Sequence, residues 1–356
     1  MIRLALLCAR RALPFYYLLA LLAVLVLAAT RDWGASPEVL RALGGDASSR
    51  AAARAGAYIC AVLCVLPPLV ARAGATLPRW RRADRDWIAT RAASPLACLA
   101  MAWCGPLVAG AALLAAFLAA GELAAGGSGP CLRRVRTLAH EPVRLVSGAR
   151  DGAVTLAGLA AEDLEPGDVL RIRLVPVPGR GPSADVRLAA RAGGQALGSA
   201  QARVVDRGAI DLLLSAAGAG PVALALARGE EGAFVLLPRD SVELLRAGGR
   251  ERGASAAAFL RALLALAAGS ALALGLGAWM RGALAVLLVL AAWVLCWSSG
   301  LGAERVPGAE LFLVLRLLGD GVAPAWPGPA LLACALALAA LGLALARLGW
   351  RAEEGA

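Results

Sequence analysis

Six apolar runs, each close to the length that crosses a hydrocarbon layer, constrain this chain more than any other feature. They lie near Leu13–Ala29, Ala57–Ala71, Pro95–Ala120, Ala256–Gly277, Trp279–Trp297 and Ala330–Leu348. A transmembrane helix needs about 20 predominantly apolar residues, and shorter runs are tolerated. Hydrophobic residues make up 60% of the 356, against roughly 45–50% in soluble domains. The expected fold class is therefore an α-helical polytopic membrane protein with six transmembrane helices, arranged three and three around a polar block. The expected domains are an N-terminal membrane half at 1–125, an inserted β domain at 126–253 and a C-terminal membrane half at 254–356.

Two of the runs have special features. Pro67 and Pro68 interrupt the second; proline frees a backbone carbonyl that neighbouring helices must satisfy, so a kink is expected there. The first run follows Arg3, Arg10 and Arg11 and ends in LAAT, a pattern shared by signal peptides and uncleaved spans. The polytopic remainder favours an uncleaved span.

The formal charge is +11, and the sequence contains no lysine. The arginines gather at the ends of apolar runs, where they orient spans and meet anionic headgroups, so no nucleic-acid partner is expected. Arg3, Arg10 and Arg11, the cluster in 72–91, Arg281, and Arg347 with Arg351 all fall on one side if the N-terminus is cytoplasmic. The expected location is the bacterial cytoplasmic (inner) membrane, with both termini inside. Arg133, Arg134, Arg136, Arg246, Arg250 and Arg252 flank the polar block and fall outside in this arrangement. Long loops translocate largely regardless of their charge.

From Gly126 to Gly253 the pattern changes to short alternating stretches such as VLRIRLVPV, ADVRLAARA and PVALALA, separated by Gly, Pro and Asp. Period-two alternation with frequent turn signals reads as an all-β sandwich. Between the fifth and sixth runs, Glu310–Asp320 (ELFLVLRLLGD) is apolar but too short to span. It reads as a re-entrant or interfacial helix closed by Gly319, with Glu310, Phe312, Arg316 and Asp320 as its notable side chains.

Several chemistries lack their residues. No GxxxxGK[ST] occurs and no lysine could complete one, so ATP chemistry of the Walker type would need a partner. His140 is the single histidine, which removes HExxH zinc sites and Ser-His dyads; a surface or turn position is expected for it. The cysteines in or beside the apolar runs read as packing residues, although Cys60 and Cys64 share a helix face where a soft metal could bind. Glu122, at the end of the third run, is expected to snorkel to the interface. No run carries a central Asp, Glu or His of the kind a proton relay uses, and no enzyme activity or cofactor is expected.

The stretch Arg79–Arg91 (RWRRADRDWIATR) is dense in charge between two apolar runs. On a helix, Arg82 and Asp86 are spaced to pair at i, i+4 while Asp84 stays exposed, and Trp80 and Trp87 share a side. Membrane orientation accounts for the arginines and tryptophans. It does not account for Asp84 and Asp86, since acids contribute little to orientation and are not attracted to anionic lipid.

DWIATRAASPLACLAMAWCG resembles the stretch after the second span in permeases of the second class of ATP-binding-cassette exporters, matching through Asp86, Trp87, Ile88, Arg91, Ser94 and Pro95. The helix at Glu310–Leu318 resembles the re-entrant element that follows the fifth span in that family, and RAEEGA resembles its usual ending. The β block departs from the shortest members and resembles variants with a large extracytoplasmic insert. The resemblance implies six spans, a coupling helix docked on a separate ATPase subunit through Arg82, Asp84, Asp86, Trp87 and Arg91, and a second permease copy as homodimer or heterodimer partner within the lipid bilayer. The rival expectation is a non-transporting membrane anchor that displays the β domain for assembly or sensing.

Overall fold

Alanine and leucine, both strong helix formers, fill the apolar runs and continue into their flanks, so helices extend beyond the hydrophobic boundaries. The structure is a computed structural model that describes residues 47–83, 95–124, 130–145, 152–165, 167–177, 184–204, 208–215, 219–232, 234–239, 241–298, 305–319 and 321–354. The run at Leu13–Ala29 lies outside the described residues. The helices are α1 (Ala47–Ala83), α2 (Pro95–Ala124), α3 (Glu251–Gly277), α4 (Gly282–Ser298), α5 (Glu310–Gly319) and α6 (Pro329–Glu354). Four of these hold segments long and apolar enough to cross a membrane, at Ala53–Leu77, Ala97–Leu123, Gly253–Gly277 and Pro329–Arg351; α4 is apolar but shorter. Helix α1 runs without a break through Pro67 and Pro68 for 37 residues.

Helix α3 is the centre of the bundle. Its Ala257, Ala258, Ala262, Ala265, Ala268, Ala271 and Ala273 are all fully enclosed. Small side chains let membrane helices approach closely enough for backbone van der Waals contact. At two places only glycine fits: a Cβ on Gly277 would strike the Gly74 carbonyl of α1, and a Cβ on Gly275 would strike the Gly342 carbonyl of α6. The outward faces carry Leu287, Leu288 and Leu295 on α4 and Leu336, Leu341 and Leu348 on α6, all exposed, as a lipid-facing surface requires.

Two levels mark the bundle. At one end Leu77, Leu99, Ala102, Leu274, Ala278 and Ala346 form a cluster joined by Trp103, Leu343 and Trp350. At the other, Arg54 of α1, Glu122 of α2 and Ser255 of α3 meet. From Arg54 to Leu77, from Leu99 to Glu122 and from Ser255 to Ala278 the separation is 23 residues in each case. At about 1.5 Å per residue that is about 35 Å, a match for a hydrocarbon core of about 30 Å and its boundary.

The β domain stands at the Arg54–Glu122 end, entered from α2 and left by β10 running directly into α3. One sheet has the order β11-β1-β10-β4-β9-β2, with β7 added on β4; the other has the order β3-β8-β5-β6. The strands are β1 (Pro130–Leu138), β2 (Val143–Leu145), β3 (Gly152–Ala160), β4 (Val169–Val177), β5 (Ala184–Ala192), β6 (Gln195–Val204), β7 (Gly208–Leu213), β8 (Pro221–Gly232), β9 (Phe234–Leu237), β10 (Val242–Arg250) and β11 (Val322–Ala323). All pairings are antiparallel except β1 with β11. The first sheet curls where β4 passes from pairing β10 at Val169–Ile172 to pairing β9 at Val175–Val177. Leu170, Ile172, Leu174, Val186, Leu188, Leu224 and Leu226 from both sheets share one core.

Of the alternate positions of β4, Val169 and Arg171 are buried as well, and Arg173 and Val175 are half-buried. Arg171 sits directly opposite Asp211 on one neighbouring strand and Glu243 on the other. Its Nε donates to Asp211 Oδ1 at 2.7 Å and its Nη2 to Oδ2 at 3.0 Å, the bidentate geometry suited to a guanidinium. Arg173 and Arg134 also bond Glu243. His140 lies in the connection from β1 to β2 and is buried there, so of the surface or turn position expected from sequence only the surface part fails. Its Nε2 accepts the Ser241 backbone N–H at 3.3 Å and its Nδ1 lies 2.8 Å from the Glu141 carbonyl, contacts that a single ring tautomer satisfies.

Candidate functional site

The described part of the charged stretch, Arg79–Ala83, belongs to the end of the bundle opposite the β domain. Arg82 lies in the last turn of α1, one residue before its end at Ala83; Asp84, Asp86, Trp87 and Arg91 lie outside the described residues. Both flanks, Ala83 of α1 and Pro95 of α2, fall beyond the Leu77–Leu99 level. Helix α1 spans about 55 Å at about 1.5 Å per residue, well over the bilayer core, so its Arg79–Ala83 end projects past the apolar slab. Arg281, in the turn from α3 to α4, and Arg351, near the end of α6, are exposed at this same end. The Trp279 Nε1–H donates to the Leu345 carbonyl at 3.1 Å and ties that turn to α6.

The opposite end is polar in a way that hydropathy conceals. Arg54 Nε donates to Glu122 Oε1 at 2.9 Å and Nη2 to Oε2 at 3.2 Å, while Ser255 Oγ hydrogen-bonds the same carboxylate. Glu122 does not simply snorkel outward. A carboxylate at the lipid boundary is better satisfied by two helix neighbours than by extension toward water.

Six residues further along α3, about 9 Å toward the middle of the helix bundle at about 1.5 Å per residue, Arg261 is buried and forms an ion pair with Glu310, which is fully enclosed. Tyr58 of α1 is buried beside them and feels both charges; its hydroxyl finds no hydrogen-bond partner among the described residues. Arg261 was the residue that sequence reasoning passed over. The available signal was an arginine inside an apolar run, which lipid tolerates only when it is paired or reaches the interface.

The short helix takes its position from these contacts. Glu310 starts α5, Phe312 is partly exposed, Arg316 lies within α5 and Asp320 lies outside the described residues. Helix α5 ends at Gly319, and Gly321 takes a positive φ of 69°. On one side Leu311, Val314 and Leu318 pack among the membrane helices; on the other Leu317 packs with Leu132, Val169, Leu245 and Val322 of the β domain. This helix bridges the two parts of the molecule.

Three of the six arginines that flank the polar block are engaged within it. Arg134 pairs with Glu243, Arg136 with Asp163, and Arg246 with Asp168 and Glu165. The hydrogen bonds that Arg246 donates to Asp168 hold its guanidinium above the usual arginine pKa. Charge satisfied in this way is not free to anchor the chain to headgroups. Cys60, Cys64 and Cys98 are buried between helices. Among the described residues no group of three or more His, Cys, Asp or Glu side chains is placed to hold a metal ion. No protein-family model, curated protein or solved structure matches this chain.

Proposed function

We propose that this chain is the membrane permease subunit of an ATP-driven exporter, with six spans in a three-and-three arrangement, an extracytoplasmic β-sandwich-like domain and both termini cytoplasmic. The observation that carries the reading is the overhang of α1, whose arginine-rich end leads into the acid-bearing segment on the side away from the β domain. A partner that docks on Arg82, Asp84, Asp86, Trp87 and Arg91 would act on a single rigid helix that reaches the Arg54–Glu122 level. Rigid-body motion of packed helices is a known route for domain closure to be transmitted. The sequence offers no nucleotide cradle of its own, which assigns hydrolysis to a separate ATPase subunit. A second permease copy completes the assembly in this reading.

The test is co-purification with an ATPase encoded beside this chain, comparing the native protein with an Asp84→Arg, Asp86→Arg double variant. Loss of association and of permease-dependent ATP turnover in the variant is the expected result. Unchanged association would remove the docking assignment and favour an anchor that displays the β domain.

A further inference from the structure

The segment from Glu310 to Trp326 leaves the membrane helices, touches the β domain and returns, and one guanidinium holds both of its feet. Arg261 of α3 pairs with Glu310 at the start of α5. Its Nε also donates to the Ala325 carbonyl at 2.9 Å and its Nη2 to the Trp326 carbonyl at 3.4 Å, just before α6. Between these feet, Val322 and Ala323 pair in parallel with Leu132 and Arg133 of β1, and the Leu132 N–H donates to the Gly321 carbonyl at 3.3 Å. Leu317 and Val322 are buried against Leu132, Val169 and Leu245.

We propose that α5 and β11 form a strut that locks the β domain onto the membrane helices, with Arg261 as its clamp. The physical reason lies in the weakness of the tip. A two-residue parallel strand has too few ladder bonds to hold by itself, so its protection depends on the feet being fixed. Burial of Glu310 favours the closed clamp, because separation would break an ion pair whose carboxylate is fully enclosed. Displacement of the β domain therefore reaches α3 directly through Arg261 and α1 through the packing of Leu311, Val314 and Leu318. This inference concerns contacts within one chain and stands whether or not the chain is an exporter subunit.

Amide hydrogen exchange on the full chain in lipid nanodiscs tests it, read by mass spectrometry in peptides covering β1 and 317–323. Two variants are compared with the native chain: Arg261→Met, and the neutral pair Arg261→Met with Glu310→Gln, which removes the clamp without leaving a buried charge. In both, exchange in β1 and β11 is expected to be at least about tenfold faster, the effect of losing about one charge-assisted hydrogen bond from a local opening equilibrium. Peptides from β5 and β8 should stay within about twofold, as expected for core strands outside that opening unit. Unchanged β1 and β11 protection in the double variant overturns the proposal, whether or not the single variant loosens, because buried charge and not the clamp would then be the cause. Equal acceleration in β5 and β8 also overturns it, by showing global loosening.

Discussion

Arg54 and Glu122 face each other across α1 and α2 through two hydrogen bonds, at a level 23 residues from the Leu77–Leu99 contact on both helices. The equal spacing puts the pair and the Leu77–Leu99 level at opposite ends of the apolar segments of the two helices. Replacing Glu122 with Ala removes the carboxylate that a nearly enclosed guanidinium bonds twice, so a loss of about 2–4 kcal/mol is expected, toward the lower end because Glu122 is itself partly exposed. Ser255→Ala, which removes one neutral donor, should cost about 1 kcal/mol. Thermal unfolding in detergent checks the order; a Ser255 effect as large as the Glu122 effect would contradict it.

In the β domain, Arg171 and Asp211 are both buried and joined bidentately. Asp211→Ala is expected to destabilise by about 3–5 kcal/mol, whereas Arg171→Met with Asp211→Leu should come much closer to the native stability, since no charge is then stranded. Protease resistance of the β domain within the full chain gives the comparison.

The helix contacts predict a sharp division among glycines. Gly342→Leu places a side chain where the α3 backbone at Ala271 and Leu272 already sits, so folded yield should collapse. Gly253→Ala meets nothing within 4 Å in the same helix that Gly342 contacts, and should be neutral or stabilising by about 0.5–1 kcal/mol. Size-exclusion profiles of the two variants measure this directly.

The proposed topology puts the β domain and the end of α6 on opposite sides of the membrane. A cysteine at Ala219, exposed in the β domain, should react with a membrane-impermeant maleimide added to intact cells, above the baseline set by the native cysteines. A cysteine at Ala352, near the end of α6, should stay protected until the cells are opened. The reverse pattern inverts the proposed topology.

The positions of the apolar helices were legible because burial in lipid demands long runs of apolar residues, and Ala57–Ala71, Pro95–Ala120, Ala256–Gly277 and Ala330–Leu348 each fall within a helix. Hydropathy could not bound them. Helix α1 starts ten residues before the run at Ala57 and ends twelve residues after Ala71, because alanine and arginine support helix on either side of the apolar boundary. The β block was legible from its alternation, but alternation implies one wet face, and Arg171, Asp211 and Glu243 occupy that face while enclosed. Their burial depends on residues 32 to 72 positions apart in sequence meeting in one register.

The sequence by itself determined that this chain is helical and membrane-compatible at its two ends and β-rich between them, since these properties follow from local periodicity and composition. Only the tertiary structure decided which charges meet. Arg54 finds Glu122, Arg261 finds Glu310, and His140 finds Ser241 across separations of 68, 49 and 101 residues. Pairing of that kind depends on helix register and strand order, which local periodicity does not encode.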